Sequence, residues 1–363
     1  MSTGPALRIG TRRSALATTQ SGHVAEALEA LGVATELVEI TTDGDRSQAS
    51  GTPLAGAPST GVFVSALRDA LLAGEVDVAV HSLKDLPTYG TEGIALAAVP
   101  PREDPRDVVV ARDGLTLGEL PQGSLVATGS PRRVAQIEAL GLGVRLVGVR
   151  GNVDTRIARI REGAYDAVVL ARAGLARLGR LGEVTEVLDP LQVLPAPGQG
   201  ALAVECRADD AATLALLARL DDVWSRAAVT AERTLMATLE GGCAAPIGAL
   251  AEVAEGEDGP ELWLRAIVLS EDGALAVRRS ASAGLDADAA SWPAAAAKLG
   301  GDLGAEMLAD GGAELMAQMT AQHTVQQGVQ QGDQQHPRQR DHESSTPRSN
   351  SHPSARSAEV HNP

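Results

Sequence analysis

The stretch GVFVSALRDALLAGEVDVAVHSLKDLPT, residues 61–88, sets the architecture. Over 61–73 its apolar residues are spaced as on a helix. Residues 76–80 are a short apolar strand that runs straight into a polar loop. A helix feeding a strand is the building unit of an α/β fold. The alternation continues on both sides. Strands are predicted at 7–10, 36–41, 94–98, 107–111, 125–128, 144–149 and 166–171, and helices at 14–31, 131–140, 153–162 and 211–219. This rhythm predicts mainly parallel strands with sites at their ends.

Proline-rich breaks at 100–105 (PPREDP) and 195–198 (PAPG) bracket a segment of domain size. Residues 106–194 therefore form a second α/β lobe, and residues 1–99 with 199–220 the first. Two lobes joined by two crossings can close over a ligand. Residues 222–320 predict a smaller α+β domain. In it TAERTLMATLEGG is helical, and ELWLRAIVLS pairs with ALAVRRSAS across EDG as a hairpin. From 322 to 363 the sequence is dominated by Gln, Ser, Pro and His, which predicts a disordered tail.

Composition narrows the function. A net charge of −16 argues against a nucleic-acid partner, which needs a basic surface. The start of the chain lacks the apolar core of a signal peptide, and no apolar run is long enough to span a bilayer. A cytoplasmic protein without a membrane partner is expected. Two cysteines, Cys206 and Cys243, do not make a disulfide framework. Five of the seven histidines, His323, His336, His342, His352 and His361, fall in the tail without regular ligand spacing, so no metal site is expected.

Against that acidic background, arginines gather at helix beginnings. In GSPRRVAQIEAL, Ser130 is placed to cap a helix with Pro131 at its first position, and Arg132 and Arg133 fall in the first turn. The helix dipole disfavours cations there by several tenths of a kcal/mol. A bound anion would offset the cost. TRRSALATTQ places Arg12 and Arg13 before a helix that Ser14 can cap. RGNVDTRIARI places Arg150 and Arg156 around a helix that Asn152 or Asp154 can cap. Each could be a solvated surface arginine. Three such starts, each after a strand, predict one cleft facing several carboxylates or phosphates. No phosphate-binding glycine loop accompanies them.

The polar loop of the opening stretch holds Lys84, one of only two lysines, and Asp85. Neighbouring cations would keep Asp85 ionised, ready to stabilise a developing cation or accept from N–H groups. His81 is expected to pack. Cys243 follows two glycines in LEGGCAAPIG, so its sulfur can project from a loop. A Cys–His hydrolase is poorly supported, because only His23 and His81 lie in the folded region. Cys206, in ALAVECR, is expected in the core. A two-lobed anion-binding protein without catalysis, and a cysteine-dependent transferase without a pyrrole cofactor, remain as rival readings.

The segments HSLKDLPT, REDPRD, GSPRR, RGNVDTR, LPAPGQGALAVECR and LEGGCAAPIGA resemble, in order, the signature segments of the hydroxymethylbilane synthase (porphobilinogen deaminase) family, from residue 7 to about 318. The resemblance implies two periplasmic-binding-protein-like lobes with a third, smaller domain, and a monomer. It implies condensation of four porphobilinogen molecules with loss of ammonia, then hydrolytic release of hydroxymethylbilane. It also implies a dipyrromethane cofactor, joined by a thioether to Cys243, on which the chain grows. By that match Arg12, Ser14, Ser82, Lys84, Thr128, Ser130, Arg132, Arg133, Arg150, Arg156 and Arg177 bind carboxylates. Asp85 contacts pyrrole N–H groups and stabilises the azafulvene cation, and Gln20 and Gln199 line the cleft. The chain departs from the family in TPLAGAPSTGVFV, where Gly56 and Thr60 stand at positions that many relatives fill with lysine, while Phe63 is kept. Asp154 replaces a frequently small residue and is expected to cap its helix.

Overall fold

The computed structural model describes residues 6–40, 59–240 and 245–318, and of 59–63 the backbone alone. Cys243, Gly56, the side chains of Thr60 and Phe63, and the tail expected to be disordered lie outside the described residues.

Among those residues the predicted alternation forms two five-stranded sheets. The first runs β2 (Thr35–Glu39), β1 (Leu7–Thr11), β3 (Val78–Ser82), β10 (Leu202–Arg207), β4 (Ile94–Ala98). The second runs β7 (Arg145–Val147), β6 (Leu125–Ala127), β8 (Ala167–Ala171), β5 (Asp107–Ala111), β9 (Glu186–Val187). The orders match position for position. In each sheet three strands pair in parallel, and two more attach antiparallel. Four of the five strands in each sheet thus run the same way, as expected of mainly parallel strands, and one, β10 or β5, is reversed. The physical reason is the pair of crossings. β5 follows directly on the first crossing and β10 directly on the second, so each enters its sheet against the direction of the parallel trio.

The strands are apolar because both faces are covered. Ile9, Val78, Val80 and Val204 pack against Val24 and Leu28 of α1 (Ala15–Ala30). On the other face Ala79 packs with Leu67 and Leu71 of α2 (Ser59–Leu72). In the second sheet α3 (Pro131–Ala139) buries Ile137 against Val109 and Val169. α4 (Val153–Arg161) buries Ile157 against Val108 and Val168 on the opposite face. The short α5 (Arg172–Arg177) follows β8, and α6 (Ala211–Leu217) follows β10.

The crossings touch. Glu103 N–H donates to Gly200 O at 3.3 Å. Gly200 has φ +91°, and a Cβ there would lie 2.2 Å from Glu103 O, so only glycine lets the strands approach this closely.

The third unit has one strand more than predicted. β11 (Ile247–Gly256), β12 (Gly259–Leu269) and β13 (Ala276–Gly284) form an antiparallel sheet. One face packs on α7 (Val223–Thr238) and α8 (Trp292–Met307), with Leu235, Leu262, Leu264 and Leu303 in the core. The added strand, IGALAEVAEG, is alanine-rich, a weak strand signal on its own.

Candidate active site

Two of the three arginine-bearing helix starts have a side-chain cap. Ser14 Oγ accepts from Ala17 N–H at 3.3 Å. Asn152 Oδ1 accepts from Thr155 N–H at 2.8 Å. Ser130 holds the cap position of α3 with Pro131 after it, but its side chain makes no cap bond. Asp154 does not cap α4, contrary to expectation. The cap residue needs an extended backbone, which Asn152 has, and Asp154 in the first turn pairs instead with Arg180.

The arginine pair at the α3 start meets its anion inside the protein. Asp107, the first residue of β5, is fully buried. Arg132 Nη2 donates to one of its oxygens and Arg133 Nη2 to the other, both at 2.7 Å, and Gln199 Nε2 adds a third bond at 2.7 Å. Burial opposes ionisation of Asp107, yet the charges of Arg132 and Arg133 outweigh it and hold the carboxyl far below the usual range. The external anion inferred for this helix start is therefore not needed to explain the pair. Charge is still left over. Lys84 and Asp85 reach the cluster from the first lobe, and Arg156 adds to the charge around Arg133. Four cations (Lys84, Arg132, Arg133, Arg156) then face two carboxylates (Asp85, Asp107), an excess of two positive charges.

Gln199 is buried and all of its amide is engaged. Its Nε2 also donates to Pro105 O at 2.6 Å, and Lys84 Nζ donates to its Oε1 at 3.3 Å. It bridges the lobes at the second crossing. Lys84 is half-buried as a residue. Loss of solvation brings its ammonium down to about 8, against the upward pull of Asp85.

A second group lies beside the first. Arg12, Gln20, His81, Ser82 and Asp85 line one pocket at the end of β3. Gln20 Nε2 donates to Ser82 Oγ at 2.9 Å. The strand end is held from below. Glu205 on β10 accepts from Arg68 at 2.6 and 2.9 Å, with buried His81 Nε2 3.3 Å away. Burial raises the Glu205 carboxyl, but hydrogen bonds from Arg68 and His81 prevail and hold it at about 2. Both groups converge on one turn, Leu83–Asp85: Lys84 lies in the first group, and Asp85, which adjoins it there, also lines the second.

The remaining predicted residues are less gathered. Thr128 is buried, and its Oγ1 accepts from Ser130 N–H at 3.3 Å. Arg156 Nε donates to Gly151 O at 2.8 Å, and Arg150 is exposed. Arg177 lies elsewhere, in a cavity of about 360 Å³ beside the crossings with His23, Pro101 and Leu220, and donates to Gly200 O at 2.6 Å. Cys206 is buried, as expected.

Asp107 was not foreseen from sequence, where it reads as the polar edge of an apolar strand. Asp107→Asn is expected to cost about 3–5 kcal/mol, because it strands two buried guanidinium groups. Denaturant unfolding checks this, and a loss below about 1 kcal/mol would mean the arginines find other partners.

A polycarboxylate fits these residues. The cluster carries excess positive charge, and the buried Nε–H groups of Arg132 and Arg133 have no hydrogen-bond partner among the described residues. Residues 7–215 match the family model described as porphobilinogen deaminase, dipyromethane cofactor binding domain, and residues 226–309 match that of the porphobilinogen deaminase C-terminal domain. The chain belongs to the porphobilinogen deaminase family. The porphobilinogen deaminase of Mycobacterium tuberculosis strain H37Rv is 58% identical over 279 residues, 76% of this chain and 89% of the relative. Porphobilinogen deaminase 1 of Streptomyces coelicolor is 56% identical over 312 residues, 84% and 96% of the two chains. The cofactor-domain match spans every clustered cation and both carboxylates. Among solved structures, the VFT2 domain of Bordetella pertussis BvgS matches at 17% identity with a TM-score of 0.35, over 60% of this chain and 86% of that one, too slight a likeness to carry weight. No helix among the described residues is long and apolar enough to cross a membrane.

Proposed function

We propose that the protein is a hydroxymethylbilane synthase that condenses four porphobilinogen molecules, with loss of ammonia, into a linear tetrapyrrole. One observation carries this function: a turn at the end of β3 presents Lys84 to a cluster with excess positive charge and Asp85 to the adjoining pocket. Pyrroles bearing an acetate and a propionate match such a cluster in charge, and a reaction that leaves a cation behind matches the carboxylate. A dipyrromethane on Cys243 supplies the primer on which the chain is built. Lys84, Arg132 and Arg133 would hold its carboxylates, with Ser82, Thr128 and Ser130 offering hydroxyls. Arg12, Ser14, Gln20, Arg150, Arg156, Arg177 and Gln199 would serve incoming or growing pyrroles. Asp85 would accept from pyrrole N–H and offset the charge that forms as ammonia leaves the aminomethyl carbon.

The proposal includes a monomeric, cytoplasmic enzyme, and the lobe division at 1–99 with 199–220, 106–194 and 222–320. An anion-binding protein without catalysis would share the cations, but it leaves Asp85 without a task. Porphobilinogen consumption by the purified protein, read with product formation, is the direct test.

Lys84 sets a pH dependence. Its ammonium is present below about pH 8 and lost above it, so carboxylate binding weakens as pH rises. The Kd of the Cys243→Ser protein for a free dipyrromethane is expected to climb about tenfold between about pH 7 and about pH 9.5, the worth of one charge-assisted bond. Adding Lys84→Met should raise that Kd at the lower pH and flatten the profile. A Kd that is flat across that range in the protein with Lys84 present would remove the lysine from binding. Stability runs the other way. A lysine whose folded pKa lies below its unfolded 10.5 costs stability in full below about 8, and the cost is relieved between 8 and 10.5.

A further inference from the structure

Helix α7 carries two adjacent charged residues, Glu232 and Arg233, that no step above uses. Neither faces solvent freely. Glu232 is fully buried. Its carboxylate accepts from Arg102 Nη1 at 2.7 Å and Nη2 at 3.0 Å in the first crossing, from Gly198 N–H at 2.6 Å in the second, and from Ala251 N–H at 2.8 Å in β11. Arg102 Nε donates in turn to Gln199 O at 2.8 Å. A single carboxylate thus fastens both crossings to the third domain.

Arg233, one residue on, reaches the turn that carries Lys84 and Asp85. Its Nη1 donates to Leu83 O at 3.3 Å and Leu86 O at 3.1 Å, and its Nη2 to Pro87 O at 2.5 Å. These are carbonyls on both sides of Asp85; Leu83 O also accepts from Leu86 N–H at 3.1 Å, closing the three-residue helical turn. The turn is also tied at its start, where Leu83 N–H donates to Ala201 O at 3.0 Å. The planar guanidinium presents its donors in fixed directions, so it sets the turn's orientation as well as holding it. In the sequence α7 ends at Thr238, five positions before Cys243.

We infer that Arg233, seated by its neighbour Glu232, is a positioning residue that aims the Asp85 turn, so that the domain bearing the attachment cysteine sets where the reactive carboxylate stands. This rests on the proposed function. It also separates two roles of the same helix: Glu232 fixes the two crossings, and Arg233 fixes the turn at the end of β3.

A double-mutant cycle on the loaded enzyme tests it. Single-turnover addition of the first porphobilinogen is followed by intact mass, in Arg233→Gln, Asp85→Ala and the double variant. If Arg233 acts through Asp85, Arg233→Gln slows extension about tenfold when Asp85 is present, the cost of a small misplacement. It then changes the rate by no more than about twofold in the Asp85→Ala background. The fraction of chains carrying the dipyrrole, read in the same spectra, stays at the wild-type level. Arg233→Lys, which keeps a charged donor near the carbonyls but not the fixed directions of the guanidinium, recovers only part of the rate and serves as the reporter if the glutamine variant does not fold. An equal slowing in both backgrounds, or a loss of dipyrrole in Arg233→Gln or Arg233→Lys, overturns the inference. A wild-type chain that is never extended by porphobilinogen overturns the proposed function instead.

Discussion

Asp85→Ala is expected to cut turnover about 10²- to 10³-fold while the protein stays folded, as losing one preorganised electrostatic group does. The fold does not depend on this side chain. The turn is held through backbone, by the bond from Leu83 N–H to Ala201 O and by Arg233 on the flanking carbonyls. The core residues of the turn, Leu83 and Leu86, are untouched by the change. What is lost is a carboxylate lining the pocket with Arg12, Gln20 and Ser82. When the amino group of the aminomethyl side chain departs as ammonia, the methylene pyrrole left behind is a cation, and an anion already in place lowers that barrier without reorganisation. Asp85→Asn, which keeps an acceptor and removes the charge, should fall between alanine and wild type. Steady-state kcat and a thermal unfolding midpoint check both claims. Near-normal turnover in the alanine variant would take Asp85 out of the chemistry.

Cys243→Ser should abolish the covalent dipyrrole and with it all product formation. The other cysteine cannot take over. Cys206 sits on β10 without exposure, and burial, with help from Asp210, pushes its thiol up to about 11. The thiolate is the reactive form, so a buried thiol of that kind is inert near neutral pH. Serine offers an alcohol of similar size and far weaker nucleophilicity. Intact mass of the two proteins, each made in cells that synthesise porphobilinogen, gives the answer. Wild type should exceed its sequence mass by one dipyrrole, and the serine variant should match its own. A wild-type protein of unmodified mass would refute the cofactor assignment.

Much of this was legible in the residues because local rules governed it. Ser14, Pro131 and Asn152 mark helix starts through capping chemistry, which acts within one turn of the chain. Uninterrupted apolar runs such as VVVA at 108–111 announce strands covered on both faces. What escaped depends on partners far away in sequence. Arg132 and Arg133 looked like a site for an outside anion because Asp107, which neutralises part of their charge, lies about 25 residues earlier and gives no local sign of burial. The reversal of β10 escaped for the same reason, since it joins β3 only after a whole lobe has intervened. Asp154 showed the limit of residue type as a guide: two residues able to cap stood near one helix start, and backbone geometry chose Asn152.

The return of the chain to the first sheet after the second crossing bears on how the chain is made. Until Leu202–Arg207 has been synthesised, β3 and β4 of the first sheet have no strand between them, and the edges they would present to β10 stay open. The second sheet takes all of its strands from residues 107–187 and can close earlier. Emerging from the ribosome, the later lobe is therefore able to mature before the earlier one, and the amino-terminal half waits with exposed edges of the kind that recruit chaperones or aggregate.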